Sequence, residues 1–201
     1  MLAEILELDW FLFKLINNSL SNPLFDFLMP LFREKKFWIP LYLLLAFLII
    51  QKFKYQSVAI FFLILFTVLL CDQLSSELIQ NIFQRLRPCN NPELNDEVRL
   101  LVKCGSGYSF TSSHACNHFG LATLFVFAMK PLLKKSSWNF SLLRFVFYFW
   151  AGIIAFAQIY VGVHFPMDVF AGALLGCLTG FICIRLYLLL ARKFYPDWIL
   201  T

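Results

Sequence analysis

The chain has 201 residues, of which 60% are hydrophobic and only 14% are charged, with a formal net charge of +5. Soluble domains carry close to a quarter charged residues, so this composition argues against a soluble protein and predicts one membrane-embedded domain over residues 1–201. The positive charge requires no nucleic acid partner, because basic residues in loops beside a membrane produce the same excess.

The first apolar stretch covers about residues 9–32 and is interrupted by Asn17-Asn18 and Asn22-Pro23, so the sequence leaves open whether it spans the bilayer. Five further apolar stretches are each near the length of a bilayer-crossing helix: 37–51, 57–83, 112–133, 143–164 and 166–191. Because a backbone inside a bilayer must satisfy its own hydrogen bonds, the sequence predicts an all-α integral membrane bundle of five to six transmembrane helices.

The helix predicted over 57–83 carries Asp72, Ser76 and Gln80 on one face that leads to Arg87-Pro88. An ionisable side chain such as Asp72 within an apolar helix is a functional candidate, although it could instead hydrogen-bond a neighbouring helix. The Arg87 guanidinium presents a planar fork that suits a phosphate, whereas an arginine at a membrane boundary is also ordinary.

One long polar loop follows, over residues 88–110. Because successive helices alternate in direction, this loop, the helix start near 112 and the turn at 164–166 are predicted to meet on one membrane face. Cys89 and Cys104 flank the loop and are predicted to form a disulfide, which requires an oxidising compartment.

An excess of lysine and arginine is typical of the cytoplasmic side of a membrane. The face opposite the polar loop carries such an excess: Lys52, Lys54, Lys130, Lys134, Lys135, Arg144, Arg192 and Lys193. The bias is modest, because Arg33, Lys35 and Lys36 fall on the face of the loop if the first stretch spans. The sequence therefore predicts a bacterial cytoplasmic membrane protein whose polar loop faces outward, on the periplasmic side.

The segment Thr111-Ser112-Ser113-His114 opens the helix after the polar loop. Hydroxyl side chains at a helix start cap the free N–H groups, and the same N–H groups form a site for an anion. Capping alone accounts for Ser112 and Ser113, whereas it does not account for His114. At the mouth of an anion site, His114 could protonate a leaving group.

The turn before the last helix carries a histidine and a carboxylate. Pro166 suits the first position of that helix, so His164 lies just before the helix and Asp168 in its first turn. A hydrogen bond between the two would fix the imidazole tautomer and leave the other ring nitrogen free to attack. In the alternative interpretation, Asp168 only complements the helix dipole.

Taken in order, these segments resemble the type 2 phosphatidic acid phosphatase superfamily of membrane lipid phosphatases, over about residues 72–180. That family carries a lysine, six residues and Arg-Pro, then Pro-Ser-Gly-His, then Ser-Arg, five residues, a histidine, three residues and an aspartate. The resemblance implies a phosphatase without metal or other cofactor, in which His164 attacks phosphorus to form a phosphohistidine while Asp168 orients it. His114 would protonate the leaving oxygen.

The resemblance also implies that Arg87, Ser112 and Ser113 hold the phosphoryl oxygens. The chain departs from the family pattern most at Gln80 and Gln158, which stand where the family has lysine and arginine. Further departures are Ala157 for serine, Thr111 for proline and Ser113 for glycine.

Gln80 and Gln158 can still donate hydrogen bonds to phosphate, but they remove positive charge where negative charge accumulates during reaction. The hypothesis that follows is compensation by a cation of the polar loop, with Arg99 as first choice and Lys103 as second. In the alternative, Arg99 pairs at the surface with one of the nearby carboxylates: Glu93, Asp96 or Glu97. Arg85 and His118 are other cations that could take part.

The function expected from the sequence is hydrolysis of a phosphate monoester or diphosphate on a lipid headgroup. Undecaprenyl diphosphate is the leading substrate, and phosphatidylglycerol phosphate, phosphatidic acid and lipid A remain open. The partners expected are this lipid substrate and membrane lipids. One alternative is a catalytically silent relative that binds lipid phosphate, and the two glutamines favour it. A transporter is disfavoured because the polar groups gather at one end of the bundle.

Overall fold

A computed structural model describes residues 2–94, 97–130 and 139–194 of the chain. Within these ranges the chain forms helices joined by loops and contains no strand, which confirms the predicted all-α class. The helices are α1 (Leu2–Lys14), α2 (Pro23–Arg33), α3 (Ile39–Phe53), α4 (Ser57–Asp72), α5 (Gln80–Phe83), α6 (Ser113–Met129), α7 (Phe140–Tyr160) and α8 (Pro166–Phe194). Asp96, Lys134 and Lys135, which entered the sequence predictions, lie outside the described residues.

In the described part of the chain, three helical segments are long and apolar enough to cross a membrane: Lys35–Phe83, Phe140–Tyr160 and Pro166–Lys193. The first of them contains both α3 and α4, joined by a single 3₁₀ turn at Lys54–Gln56. Large apolar side chains such as Phe62 on α4 and Phe145 on α7 are mostly exposed. Apolar helices that expose such side chains are stable in lipid, so the chain is an integral membrane protein.

The ambiguous N-terminal stretch is divided into two helices. The last turn of α1 widens into a π-helical segment at Leu15–Ser19, and α2 begins where Asn22 Oδ1 accepts a hydrogen bond from the Phe25 N–H at 2.9 Å. Neither helix is among the described segments that could cross a membrane alone. Asn17 Nδ2 donates to the carbonyls of Arg99 and Tyr160, both at 2.8 Å, so this region packs on the polar end of the bundle.

The centre of the bundle is α6, which packs against α8 without intervening side chains. A Cβ atom on Gly172 would lie 2.5 Å from the Ser112 carbonyl oxygen, and one on Gly176 would lie 2.2 Å from that of Cys116. Only glycine permits this approach of the two backbones. The start of α6 is thereby held beside the start of α8, the two helix ends that carry the candidate residues.

The predicted disulfide between Cys89 and Cys104 is confirmed: the two residues are bonded, with Cα atoms 6.0 Å apart. The other cysteines are free thiols: Cys71, Cys116, Cys177 and Cys183. The bridge closes most of the polar loop on itself.

Thiol labelling is expected to detect this bridge. The denatured, unreduced protein should label at the four free cysteines only, and reduction should add Cys89 and Cys104. Because the bridge closes a loop of 15 residues, Cys89→Ser with Cys104→Ser should lower the free energy of unfolding by about 3 kcal/mol. Labelling at both positions without reduction would contradict the bridge.

Candidate active site

Three segments that are distant in sequence meet at one end of the bundle: the residues after α5, the end of the polar loop with the start of α6, and the start of α8. The Ser109 N–H donates to the Arg85 carbonyl at 2.7 Å, which ties the end of the polar loop to the segment after α5. The Ser112 N–H donates to the Asp168 carbonyl at 2.9 Å, which ties the start of α6 to the start of α8. These backbone contacts bring together the three polar segments singled out in the sequence.

His164 lies at the centre of this cluster, with only 2% of its surface exposed. Its Nε2 atom is 3.2 Å from Arg87 Nη1, and its Nδ1 atom is 3.2 Å from Ser109 Oγ. The Asp168 carboxylate oxygen is 3.7 Å from Nδ1, which is too long for the direct hydrogen bond expected from the sequence. Ser109 bridges the two side chains instead.

The hydrogen bonds around His164 show which of its ring nitrogens carries the proton. The Ser109 hydroxyl donates to Asp168 Oδ2, because a carboxylate can only accept. With its single proton used, the Ser109 oxygen accepts from His164 Nδ1–H. Nε2 is therefore the nitrogen with the free lone pair, and it accepts from Arg87 Nη1. This is the tautomer that a nucleophilic histidine requires.

The carboxylate of Asp168 is fully buried, and both of its oxygens are satisfied. Oδ1 accepts from Arg85 Nη1 at 2.8 Å, and Oδ2 accepts from the Phe165 N–H at 2.8 Å as well as from Ser109. Because Phe165 precedes the first residue of α8, Asp168 serves the start of the helix as well as the chain to His164. The two interpretations of Asp168 are thus compatible.

Arg85 is held between two acidic residues and is not free to bind phosphate. Besides Asp168, it donates through Nη2 to Asp9 Oδ2 at 2.6 Å, and its guanidinium lies 4.0 Å from the centre of the Phe165 ring. Asp9 on α1 also accepts from the Met167 N–H at 2.8 Å. The first helix is thereby anchored to the residues around Asp168.

Ser109 and Asp9 were missed in the sequence, although each left a signal. Ser109 lies two residues before the helix-opening segment that begins at Thr111. Asp9 is an acidic residue in an apolar stretch, the same signal that singled out Asp72. In the structure Asp9 is 1% exposed, whereas Asp72 is exposed. Asp9 is buried against a cation and Asp72 is not, and the residues that neighbour each aspartate in the sequence do not reveal this difference.

The start of α6 supplies the hydroxyl groups predicted there. Ser112 is buried, and its side chain accepts from the Ala115 N–H at 3.4 Å, so it caps the helix. Ser113 Oγ is 2.7 Å from Ser76 Oγ. Gln80 Nε2 donates to the Thr111 carbonyl at 2.9 Å and lies 3.4 Å from Ser113 Oγ.

Gln80 and Ser113 line one cavity of about 320 Å³ together with Arg87. The turn of the polar loop at Ser106 and Gly107 also lines the cavity, and the Gly107 carbonyl accepts from Arg87 Nε at 3.4 Å. The cavity therefore presents one cation and several hydrogen-bond donors, a combination that suits a phosphate. Its lining also includes one carboxylate, that of Glu77, which is exposed.

The two histidines of α6 differ in their surroundings. His114 is half-buried in the first turn, and its charge interacts with that of His164. His118 is buried, with Nδ1 2.8 Å from the His114 carbonyl oxygen and Nε2 3.4 Å from the Tyr42 hydroxyl. Both nitrogens of His118 thus have partners in the helix bundle, so His114 is the histidine that belongs to the site.

Arg99 does not join the cluster, in contrast to the compensation hypothesis. Its Nη1 donates to Asp26 Oδ1 at 2.8 Å, its Nε donates to the Asn17 carbonyl at 3.1 Å, and its guanidinium lies over the Tyr160 ring. Its partner is thus a carboxylate of α2, and neither Glu93 nor Glu97, the two alternative partners within the described residues, pairs with it. Lys103, the second choice, is exposed.

Gln158 is fully buried and lies behind His164. Its backbone carbonyl accepts from the His164 N–H at 3.3 Å, and its side-chain Oε1 accepts from Arg33 Nε at 3.0 Å. The cation beside Gln158 is therefore Arg33, at the end of α2, which the sequence did not single out as a site residue.

Burial lowers the pKa of His164 below the ordinary value of 6.5. The nearby negative charge of Asp168 opposes this shift, and the positive charge of Arg87 adds to it. The imidazole is therefore neutral at neutral pH, in the form that can attack an electrophile.

Comparison with known proteins agrees with this geometry. The sequence pattern of the PAP2 superfamily matches residues 60–192. The lipid A 4'-phosphatase of Porphyromonas gingivalis is 31% identical over 191 residues, which cover 92% of this chain and 75% of that protein. The undecaprenyl-diphosphatase of Sulfolobus acidocaldarius is 32% identical over 181 residues, which cover 87% of this chain and 76% of that protein.

The fold agrees as well. The crystal structure of Aquifex aeolicus LpxE matches with a TM-score of 0.62 and 28% sequence identity, over 89% of this chain and 95% of that one. Sequence pattern, relatives and fold all lead to the assignment that the resemblance of the motifs predicted. The chain therefore belongs to the PAP2 superfamily of membrane lipid phosphatases.

Proposed function

We propose that His164 Nε2 attacks the phosphorus of a lipid phosphate and forms a phosphohistidine. The observation that carries this proposal is the tautomer: Nδ1–H is engaged by Ser109, and the Nε2 lone pair is directed at Arg87. As the N–P bond forms, the bond from phosphorus to the lipid oxygen breaks, and that oxygen takes a proton from His114. Burial and the positive charges of Arg33 and His164 lower the pKa of His114 in the free protein, so His114 takes up this proton when the negatively charged phosphate binds beside it. The phosphorylated ring is cationic, and Asp168 stabilises it through Ser109.

A water molecule then attacks phosphorus and gives its proton to His114, which releases inorganic phosphate and regenerates neutral His164. During both steps the phosphoryl oxygens are held by Arg87, Gln80, Ser113 and the N–H groups of the first turn of α6. Arg87 exchanges its contact with His164 Nε2 for a contact with phosphate when the substrate binds.

The substrate class proposed first is a lipid A-type glycolipid with a phosphate monoester. This proposal is supported by the lipid A 4'-phosphatase of Porphyromonas gingivalis, with which the chain aligns over 92% of its length. Undecaprenyl diphosphate is the second candidate, because the diphosphatase of Sulfolobus acidocaldarius is similarly identical. The cavity at the end of apolar, lipid-exposed helices suits either substrate, since each joins a phosphate to hydrocarbon chains.

Phosphate release by the purified protein in detergent tests this proposal. The panel should contain lipid A, undecaprenyl diphosphate, phosphatidylglycerol phosphate and phosphatidic acid, each with a chelator and without added metal. We expect the protein to release phosphate in the presence of the chelator, with the highest kcat/KM for lipid A. A higher kcat/KM for undecaprenyl diphosphate would transfer the assignment to the second candidate. A folded protein that releases phosphate from none of them would contradict a phosphatase function.

The proposed location is a bacterial cytoplasmic membrane, with the site on the periplasmic side. Basic residues at the opposite end support this orientation: Lys52, Lys54, Lys130, Arg144, Arg192 and Lys193. The disulfide of the polar loop supports it as well, since such bonds persist in oxidising compartments.

The pH dependence of kcat/KM follows from the lowered pKa of His164. Attack requires the neutral imidazole, so a lowered pKa keeps the enzyme active to more acidic pH, and the limb due to His164 should lie below pH 6.5. Because the charge of Arg87 contributes to this lowering, Arg87→Gln should move the limb to higher pH as well as reduce the rate. The pH profiles of the wild-type protein and of Arg87→Gln should be measured on the same substrate, because ionisation of the substrate then affects both profiles equally. An unmoved limb would contradict the assignment.

A further inference from the structure

Arg33 ends α2 and reaches the site from a segment outside the region that matches the family pattern. Its Nε donates to Gln158 Oε1 at 3.0 Å. The same Gln158 accepts through its backbone carbonyl from the N–H groups of Val163 and His164, at 3.2 and 3.3 Å. A single buried glutamine thus holds the backbone of the nucleophile candidate on one side and a guanidinium on the other.

The charge of Arg33 is not balanced by the protein. Within residues 2–94, 97–130 and 139–194, no carboxylate lies within salt-bridge distance of its guanidinium, and the terminal nitrogens donate to no protein acceptor. Glu34, the next residue, acts on it only at longer range. The Arg33 side chain is nevertheless half-buried, so its charge is only partly exposed to water.

A second half-buried guanidinium shares this situation. Arg87 contacts His164 and the Gly107 carbonyl, and among the described residues it forms no ion pair. Burial, and then the positive charge of Arg33, lower the pKa of Arg87, so the two guanidiniums are close enough to repel each other. The charge of Arg33 also acts on His114. Three cationic or titratable groups therefore act on one another here, and Asp168, the carboxylate that acts on Arg87, is already paired with Arg85.

An anion between these groups removes the repulsion and satisfies the unused donors. We propose that Arg33 is a phosphoryl-binding residue, and that Gln158 positions it. Nε is occupied by Gln158, which fixes the plane of the guanidinium and leaves both terminal nitrogens free for two phosphoryl oxygens. This proposal rests on the proposed function and assigns a further residue to the same site.

With Arg33 at the site, the positive charge that is absent at Gln158 is supplied by a different residue. The chain lacks an arginine at position 158, and α2 supplies one from 125 residues away that contacts the residue standing there. In this account Gln158 is a positioning residue that binds no phosphate itself, and Arg99, the cation expected from the sequence, anchors α2 through Asp26. The N-terminal helices are thereby part of the catalytic unit.

Substitutions that move the guanidinium from position 33 to position 158 test the proposal. Arg33→Ala should lower kcat/KM for the lipid substrate roughly 10²-fold or more, as removal of one stabilising donor does. Arg33→Lys should recover only part, since an ammonium lacks the fork. Arg33→Ala combined with Gln158→Arg should recover at least tenfold over Arg33→Ala, because it restores a guanidinium on the residue whose carbonyl holds the His164 backbone. Lys36→Ala, an exposed cation three residues away, is the matched control and should be unchanged.

Inhibition by orthovanadate, which imitates phosphorus in the transition state, provides a second readout. Arg33→Ala should raise the vanadate inhibition constant at least tenfold, and the double variant should lower it again. An unchanged constant and unchanged kcat/KM in Arg33→Ala would overturn the proposal. So would a loss of activity in Arg33→Ala that the double variant does not recover, because Arg33 would then only stabilise the fold.

Direct binding separates this inference from the proposed function. Vanadate should raise the melting temperature of the wild-type protein more than that of Arg33→Ala. If no lipid phosphate is hydrolysed but this difference is observed, the proposed function fails and the anion site stands. If lipid phosphate is hydrolysed and vanadate stabilises both proteins equally, the proposed function stands and the assignment of Arg33 fails.

Discussion

His164→Ala is expected to lower phosphate release from the preferred lipid by roughly 10⁴-fold or more, because it removes the atom that forms the covalent intermediate. No other side chain can replace it. Arg87 and Ser109, which contact the two ring nitrogens, are not nucleophiles in this arrangement: one is a cation, and the other donates its proton to Asp168. The measurement is single-turnover and steady-state phosphate release in detergent.

His118→Gln is the matched control for this experiment. His118 is also a buried histidine at the same end of the bundle, but its ring nitrogens face the His114 carbonyl and Tyr42. It should retain turnover close to wild type. Both variants should elute as folded protein with similar melting temperatures. Substantial turnover by folded His164→Ala on the same lipid would contradict the nucleophile assignment.

Asp168→Asn is expected to lower kcat roughly 10³-fold, the second largest effect. An amide carries no charge to stabilise the cationic phosphohistidine, and its NH₂ group cannot accept the hydrogen bonds of whichever carboxylate oxygen it replaces. Because Asp168 raises the pKa of His164, the acid limb of kcat/KM should also move to lower pH. A purely structural carboxylate would not produce this movement.

Asp26→Asn separates the loss of a catalytic carboxylate from the loss of an ion pair. Asp26 pairs with Arg99 at 2.8 Å, the same distance at which Asp168 pairs with Arg85. Its pKa is lowered by the Tyr160 hydroxyl and by Arg99, so it is charged at neutral pH. Asp26→Asn should reduce stability, and it should lower kcat of the folded fraction far less than Asp168→Asn does. Equal losses of kcat in the two variants would contradict a catalytic role for Asp168.

The residues that could be predicted from the sequence are those whose partners are fixed by short segments and by helix alternation. His164 and Asp168 are four residues apart at a helix start, and the start of α6 is held beside them by the glycines of α8. Alternating helix directions then bring Arg87 to the same membrane face. These relations require no knowledge of which side chain packs on which, so the pattern in the sequence was sufficient.

Two of the relations that escaped prediction involve the first two helices. Asp9 contacts Arg85 from 76 residues away, and Arg33 contacts Gln158 from 125 residues away. Whether α1 and α2 cross the bilayer or cover the polar end depends on the break near Asn22, which the sequence left open. The position of these two helices decides which cations reach the site. For this reason the sequence alone could not show that Arg33 lies beside Gln158 and that Arg99 does not.

The prediction of a direct hydrogen bond between His164 and Asp168 was wrong for a different reason. Spacing places a carboxylate near an imidazole but does not fix the distance, and a third side chain can enter between them. Here Ser109 occupies that position, from a loop segment 55 residues before His164. The predicted role of Asp168 survives this change, because a hydroxyl that accepts from Nδ1–H and donates to the carboxylate transmits the same preference for the tautomer.

The central claim, that His164 becomes phosphorylated, is tested most directly by trapping the intermediate. Substrate labelled with radioactive phosphate in the reacting group should be mixed with the enzyme, quenched in alkali within one turnover, and the protein digested and mapped. The account predicts label that is stable in base and labile in acid, on the peptide that contains His164, and none in His164→Ala. Label on a different residue, or unchanged turnover in His164→Ala, would contradict it.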